Sequence, residues 1–295
     1  MIFVLLGCMT GGDKDGINFP DDQSEEDETT EDTANDSPEE VNLCDSIYLL
    51  ELSWDYSTEY IWRYDIETHT ETQVGPLDCP KAIPGDVLVA LSADSKGLLW
   101  AISDQSDVYA IRNDDLSCAY TQINASSSQP PFAGRSLAFL KQTSESEDEL
   151  YFSGTVTFPP TDTTPAAIGK QYENTVTNIT TISSLVGQNS MIDLAGTADG
   201  RLFGLRPDFG TTAILEIDPN AGTIIQEWPT EAPAPQGWSF VWHDNSFWMF
   251  VSADATTTEV YHFDPTTEIL QLVNTLPIQV VGAALPSCAE SSSGS

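Results

Sequence analysis

Basic residues are scarce. Ten Lys and Arg stand against 46 Asp and Glu in 295 residues, a formal net charge of −36. A field of that sign argues against direct binding of nucleic acid or of an anionic bilayer face, because both rest on Lys and Arg displacing counter-ions. No stretch approaches the ~20 apolar residues of a membrane-spanning helix. The three His residues, His69, His243 and His262, fall in different strands or turns, and no CxxC or His cluster suggests a metal centre. A Gly-x-Ser-x-Gly elbow, a Gly-Lys-Ser/Thr phosphate loop and a His-Glu-x-x-His motif are all missing, so no cofactor is expected. No window shows sustained helical periodicity, which leaves an all-β chain.

What is present begins with an address. The opening Met1-Ile2-Phe3-Val4-Leu5-Leu6-Gly7-Cys8 is an apolar run ending in Leu-x-Gly-Cys and resembles the bacterial lipobox. In that motif the Cys becomes the acylated first residue of the mature protein. The run lacks a basic leader and is about half the usual ~7–15 residues, so residues 1–8 are read as a partial signal with its start upstream. Residues 9–43 follow with thirteen carboxylates and one Lys, Lys14, and few large apolar groups. Such a segment buries too little surface to offset its ordering entropy and is expected to be a disordered acidic tether.

From residue 44 to 290 the chain repeats with a spacing near fifty residues, in the range that marks arrays of β units. The clearest unit runs through Met191–Ala195, Arg201–Leu205, Ala213–Pro219 and Thr223–Trp228, four short β-type runs separated by Asp-Gly, Phe-Gly and Asn-Ala-Gly turn signals. The next unit repeats it, and the shared Ile217-Asp218-Pro219 and Phe263-Asp264-Pro265 place the turn between third and fourth strands. Asp86–Ile123 and the more divergent Arg135–Ile182 are two further units. The fifth is split. Ile47–Trp54, Tyr60–Glu67 and Glu71–Val74 lack a first strand, and Gln279–Leu285 is a first strand without successors. Joined, they complete one blade, so the expectation is a five-bladed β-propeller closed by its C-terminal strand on the first blade. Residues 291–295 are expected to be a disordered tail.

Five Cys occur, at Cys8, Cys44, Cys79, Cys118 and Cys288. Setting Cys8 aside as the lipid carrier leaves an even set in an exported chain, with three possible pairings. The split-blade alignment favours Cys44 with Cys288, which would staple the seam. Cys79 then falls to Cys118.

Propellers bind ligands at the channel mouth, where first strands begin and the loops between second and third strands converge. Asp86, Arg135, Asp193 and His243 are the polar candidates there, with Trp238 and Trp242 offering flat faces. Asp86 and Asp193 from different blades would flank a glycosidic bond in a hydrolase, provided they stand close together. The bland alternative is that they bond to backbone or water inside the channel. Trp54, Trp62, Trp100 and Trp248 are assigned to packing between blades, and His69 and His262 to the surface. Ser92–Trp100 resembles the Asp-box of many propellers, except that Gly97 comes one residue late, and is read as a structural hairpin. The acidic turn Asp104–Asp107 lacks a full set of oxygen ligands for Ca²⁺.

The run Met191–Gly204, together with Gly237–Trp242, Phe247–Phe250, Val260–Phe263 and the closing Val281-Gly282-Ala283 and Ser287-Cys288-Ala289, resembles a family of bacterial lipoproteins with predicted propeller domains and no assigned activity. The resemblance spans roughly residues 44–290. It implies export and anchoring and supplies no catalytic residues. Leu77–Pro80 and Leu116–Cys118 belong to it, which supports pairing Cys79 with Cys118. Met9 and Thr10 after Cys8, in place of Asp, resemble an outer-membrane sorting signal. The resulting expectation is a monomeric, lipid-anchored cell-envelope propeller that binds a protein or glycan partner. A carbohydrate-active hydrolase and a purely structural envelope component are the alternatives.

Overall fold

The computed structural model describes residues 17, 19, 46–53, 58–81, 83–126, 132–141, 147–157, 161–187, 191–207, 212–233 and 235–286. Twenty strands form five four-stranded antiparallel sheets, the blades of a five-bladed β-propeller. Blade one holds β1 (Ser46–Leu52), β2 (Glu59–Asp65) and β3 (Thr70–Leu77). Blade two holds β4 (Leu88–Ala93), β5 (Leu99–Ser103), β6 (Asp107–Ile111) and β7 (Cys118–Asn124). Blade three holds β8 (Ala133–Leu140), β9 (Glu149–Thr155), β10 (Pro165–Tyr172) and β11 (Thr175–Val186). Blade four runs through β12 (Asp193–Gly196), β13 (Leu202–Pro207), β14 (Thr212–Ile217) and β15 (Ile224–Thr230). Blade five runs through β16 (Gly237–His243), β17 (Ser246–Ser252), β18 (Thr258–Asp264) and β19 (Ile269–Leu276). Finally β20 (Val280–Ala284) returns to become the innermost strand of blade one.

Closure is by backbone pairing. Tyr48, Leu49 and Leu50 of β1 stand opposite Ala284, Ala283 and Gly282 of β20, and Leu52 N–H donates to Gln279 O at 3.2 Å. This pairing removes an open edge from each strand, which is what a split blade predicts. Gly282 is needed where β20 passes β4, because a Cβ there would lie 2.6 Å from Leu91 N.

The turn between third and fourth strands is built the same way in three blades. Asp65, Asp218 and Asp264 each accept from a backbone N–H inside the turn, at 2.7 Å from Thr68, 2.8 Å from Asn220 and 2.8 Å from Thr266. The chain then enters the left-handed region at His69, Gly222 and Glu268. The Asp supplies a local acceptor that closes the turn, which is why the repeat shows it.

Between each pair of blades lies an apolar layer, which explains why inner strands such as β6 and β17 are buried along their whole length. Trp100 meets Phe139 across blades two and three at 5.3 Å, and Trp62 and Trp248 join the layer between blades one and five. Trp54 lies outside the described residues. His69 and His262 are half-buried rather than surface groups. Both rings lie tilted against Trp248, at 5.6 and 5.1 Å.

Cys79 is bonded to Cys118, tying the segment after blade one to the outer strand of blade two. Cys8, Cys44 and Cys288 lie outside the described residues.

Of residues 9–43, the expected acidic tether, Ile17 and Phe19 are the two among the described residues. Phe19 is only 9% exposed, packed on Ala110 and Ala119 of blade two, with Ile17 and Leu98 beside it. Ile17 and Phe19 are among the few large apolar groups of an otherwise polar segment, and their burial is favourable wherever a notch accepts them.

Candidate functional site at the channel mouth

The head of β4 is set by a tight turn. Asp86 N–H donates to Ile83 O at 3.1 Å around Pro84 and Gly85, whose φ of 85° is the type II geometry that Pro-Gly favours. The turn between β5 and β6 sits at the same end. Asp104 N–H donates to Val87 O at 2.8 Å, and Val87 N–H reaches Asp104 Oδ1 at 3.4 Å. Arg135, near the start of β8, donates from Nη1 to Asp104 O at 2.5 Å, and Ser106 Oγ donates to Gly134 O at 2.9 Å. Blades two and three therefore meet at the mouth through one cluster of Asp86, Asp104 and Arg135.

The two carboxyls are unlike in charge. Asp86 is 5% exposed, with the Asp104 carboxyl and the Ser103 hydroxyl beside its own carboxyl. Burial, reinforced by the Asp104 carboxyl alongside, pushes its pKa up to about 6. Burial also opposes the Asp104 charge, but the Asp86 carboxyl, the Val87 N–H and Arg135 outweigh it and hold Asp104 below the ordinary carboxylate range. Asp104 was legible only as an acidic turn, and the register that brings it to Asp86 is a property of the folded hairpin. Glu59, at the start of β2, adds a second charged pair. It is buried, bridges to Lys81 Nζ at 2.7 Å and accepts from Leu88 N–H at 3.1 Å.

Asp193 belongs to a different arrangement. It is fully enclosed among the innermost strands. Oδ1 accepts from Ser136 Oγ at 2.5 Å and Oδ2 from Ser239 Oγ at 2.6 Å. Ser136 Oγ in turn accepts from Leu194 N–H at 3.0 Å, and Ser239 Oγ from Ala283 N–H at 2.8 Å. One carboxyl thus ties β8, β12, β16 and β20 together around the axis. Burial raises its pKa to about 6 against the lowering effect of the two hydroxyls. Asp86 and Asp193, the two carboxyls weighed for a hydrolase, have different side-chain neighbours. The carboxyl beside Asp86 is Asp104, and the groups on Asp193 are the hydroxyls of Ser136 and Ser239.

The two Trp candidates also part company. Trp238 stands near the start of β16, partly buried beside the mouth. Trp242 and His243 end that strand, at the opposite end of the channel, because four residues of β-strand advance ~13 Å. There Trp242 stacks on Phe203 at 5.2 Å, under the Arg201 guanidinium at 5.3 Å, and Arg201 is held bidentately by Glu216 at 2.9 and 3.0 Å. Trp242 also lines a recess with Phe139, Leu194 and Ala283 that offers about 20 Å³, enough for one water. The Asp-box-like turn is a hairpin lock. Asp94 Oδ1 accepts from Lys96 and Leu98 N–H at 3.0 and 2.9 Å, and Oδ2 from Trp100 Nε1 at 3.2 Å. Among the described residues no cluster of three or more His, Cys, Asp or Glu is arranged to hold a metal ion.

No protein-family model matches the chain, and no curated protein is similar to it. Solved structures resemble it at low identity. A protein from Lactobacillus plantarum shares 15% identity over 77% of this chain and 67% of its own, with a TM-score of 0.36. A calcium-binding protein, regucalcin, from Agrobacterium tumefaciens shares 11% over 81% and 77%, with a TM-score of 0.41. A putative 6-phosphogluconolactonase from Bacteroides fragilis shares 10% over 81% and 97%, with a TM-score of 0.40.

The raised carboxyls make stability depend on pH. A carboxyl whose folded pKa exceeds its unfolded value contributes fully below about pH 4 and loses that contribution as pH rises through about 6. Asp65, Asp254 and Asp264, held low by turn N–H groups, act in the other direction and lose theirs as pH falls below about 4. The expected melting maximum lies near pH 4–5, with a fall towards pH 7.5. Asp86→Asn should flatten that fall, and melting curves across the range are the check. An unchanged slope in the variant contradicts the assignment.

Proposed function

We propose that this chain is a lipid-anchored binding propeller of the bacterial cell envelope, held by Cys8 and engaging a hydroxyl-rich glycan at the channel mouth. The observation that carries the reading is the cluster of Asp86, Asp104 and Arg135 where blades two and three meet at the mouth. A carboxyl pair accepts sugar hydroxyls, a guanidinium donates to them, and Trp238 offers a flat face for a sugar ring. Asp193 is enclosed among the innermost strands and bonded to Ser136 and Ser239, which suits a ligand resting on the mouth better than a substrate enclosed within. The negative field keeps nucleic acid away, and the protein acts as a monomer without a cofactor.

The experiment is thermal melting of the full chain against a panel of envelope and extracellular oligosaccharides. A ligand that binds only the folded state raises the midpoint by mass action. One sugar class should raise it by several degrees, and Asp86→Asn or Trp238→Ala should abolish the shift. No shift with any sugar overturns the glycan reading and leaves a protein partner as the one to seek.

A further inference from the structure

Phe19 lies in the acidic amino-terminal stretch and packs on blade two. Its ring lies on Ala110 of β6 and Ala119 of β7, which face each other across the ladder, and small side chains at both positions leave a notch one ring deep. The Arg112 guanidinium covers the ring from the other side, 4.4 Å from its centre. Ile17 and Leu98 extend the contact. An aromatic ring between apolar surface and a guanidinium gains burial and cation–π attraction together.

The position of the notch matters more than its depth. Leu98 lies in the turn between β4 and β5, and Arg112 in the turn between β6 and β7. In an antiparallel blade those two turns share one end, and the turn between β5 and β6, with Asp104, occupies the other. Ile17 and Phe19 therefore dock at the end of blade two away from Asp86, Asp104 and Arg135.

We infer that Ile17 and Phe19 form a clasp that holds the propeller with its channel mouth turned away from the membrane. The inference rests on the anchoring of Cys8 proposed above. From Cys8 to Ile17 is nine residues, a reach of about 30 Å at most. From Cys8 to Ser46, where the blades begin, is 38 residues, roughly 130 Å fully extended. Without the clasp the domain tumbles on the long leash. With it, the short arm pulls on the non-mouth end of blade two. The bound sugar then has to come from the side facing away from the attachment membrane.

Two variants test the clasp from opposite sides. Phe19→Ser removes the ring, and Ala119→Leu fills the notch while leaving the clasp sequence intact. In hydrogen exchange on the full, unlipidated chain, amides of residues 16–20 should exchange at least tenfold more slowly in the wild type than in either variant. Equal exchange in all three overturns the clasp, whatever the status of Cys8. Lipidated protein on a supported bilayer, profiled by neutron reflectometry, tests the orientation. The wild type should form a compact layer and Phe19→Ser a thicker, more diffuse one. Identical layers overturn the orientation. Absence of any bound layer, with the slow exchange intact, overturns the anchor at Cys8 and with it the orientation, leaving a clasp within a free protein.

Discussion

Replacing Asp193 by Ala should lower the melting midpoint on the order of 10 °C. The carboxyl accepts hydrogen bonds from Ser136 and Ser239, whose oxygens in turn receive backbone N–H groups of β12 and β20. Alanine leaves two buried hydroxyl donors without acceptors and opens a void at the axis. Each orphaned donor costs about 1–3 kcal/mol, so the total is about 3–5 kcal/mol with the void included. For a domain of this size each kcal/mol moves the midpoint by ~2–4 °C. Asp193→Asn is the informative companion. Its amide oxygen keeps one serine, its NH₂ faces the other, and one hydroxyl proton is stranded, so its loss should be about half. The exposed Glu67→Ala is the control and should shift the midpoint by less than ~2 °C. Calorimetry on the three variants settles the order. If Asp193→Ala melts with the control, the axis is not held by this carboxyl.

The second large effect is expected at the one described disulfide. Cys79 and Cys118 are 39 residues apart, and a cross-link of that span removes denatured-state entropy equivalent to about 4 kcal/mol. The double change Cys79→Ala with Cys118→Ala, which leaves no lone thiol at the site, should therefore lower the midpoint on the order of 10 °C. The contact is local to blades one and two. The loss should accordingly show first as faster hydrogen exchange in β3 and β7, with β12 to β19 less affected. A midpoint unchanged under oxidising conditions contradicts that assignment.

The architecture was readable in the chain because its turns are written in residues with a mechanism. Asp218 and Asp264 close their turns through their own side chains, so the repeat shows Asp at the same place in successive blades, and the split first blade follows from what Ile47 and Val281 lack as partners. The site was readable only in part. Asp86 was legible as a polar residue at the head of a first strand, but its carboxyl neighbour Asp104 arrives through hairpin register, which no local pattern encodes. Trp242 was placed with Trp238 because both sit on one strand, and the length of that strand separates them. Phe19 was concealed by averaging, since two apolar residues barely alter the composition of an acidic stretch, yet a notch between two alanines is enough to bury one of them.

The most direct test of the binding account is a hydrogen-exchange footprint of the full chain with and without solubilised envelope glycans. The account predicts slowed exchange at the turns around Asp86 and Asp104 and at the start of β16 beside Trp238. Exchange at the far ends of those blades should be unchanged. Protection confined to the outer strands, or to the end of β16 at Trp242, would contradict it, because the mouth would then not be the working end of the propeller.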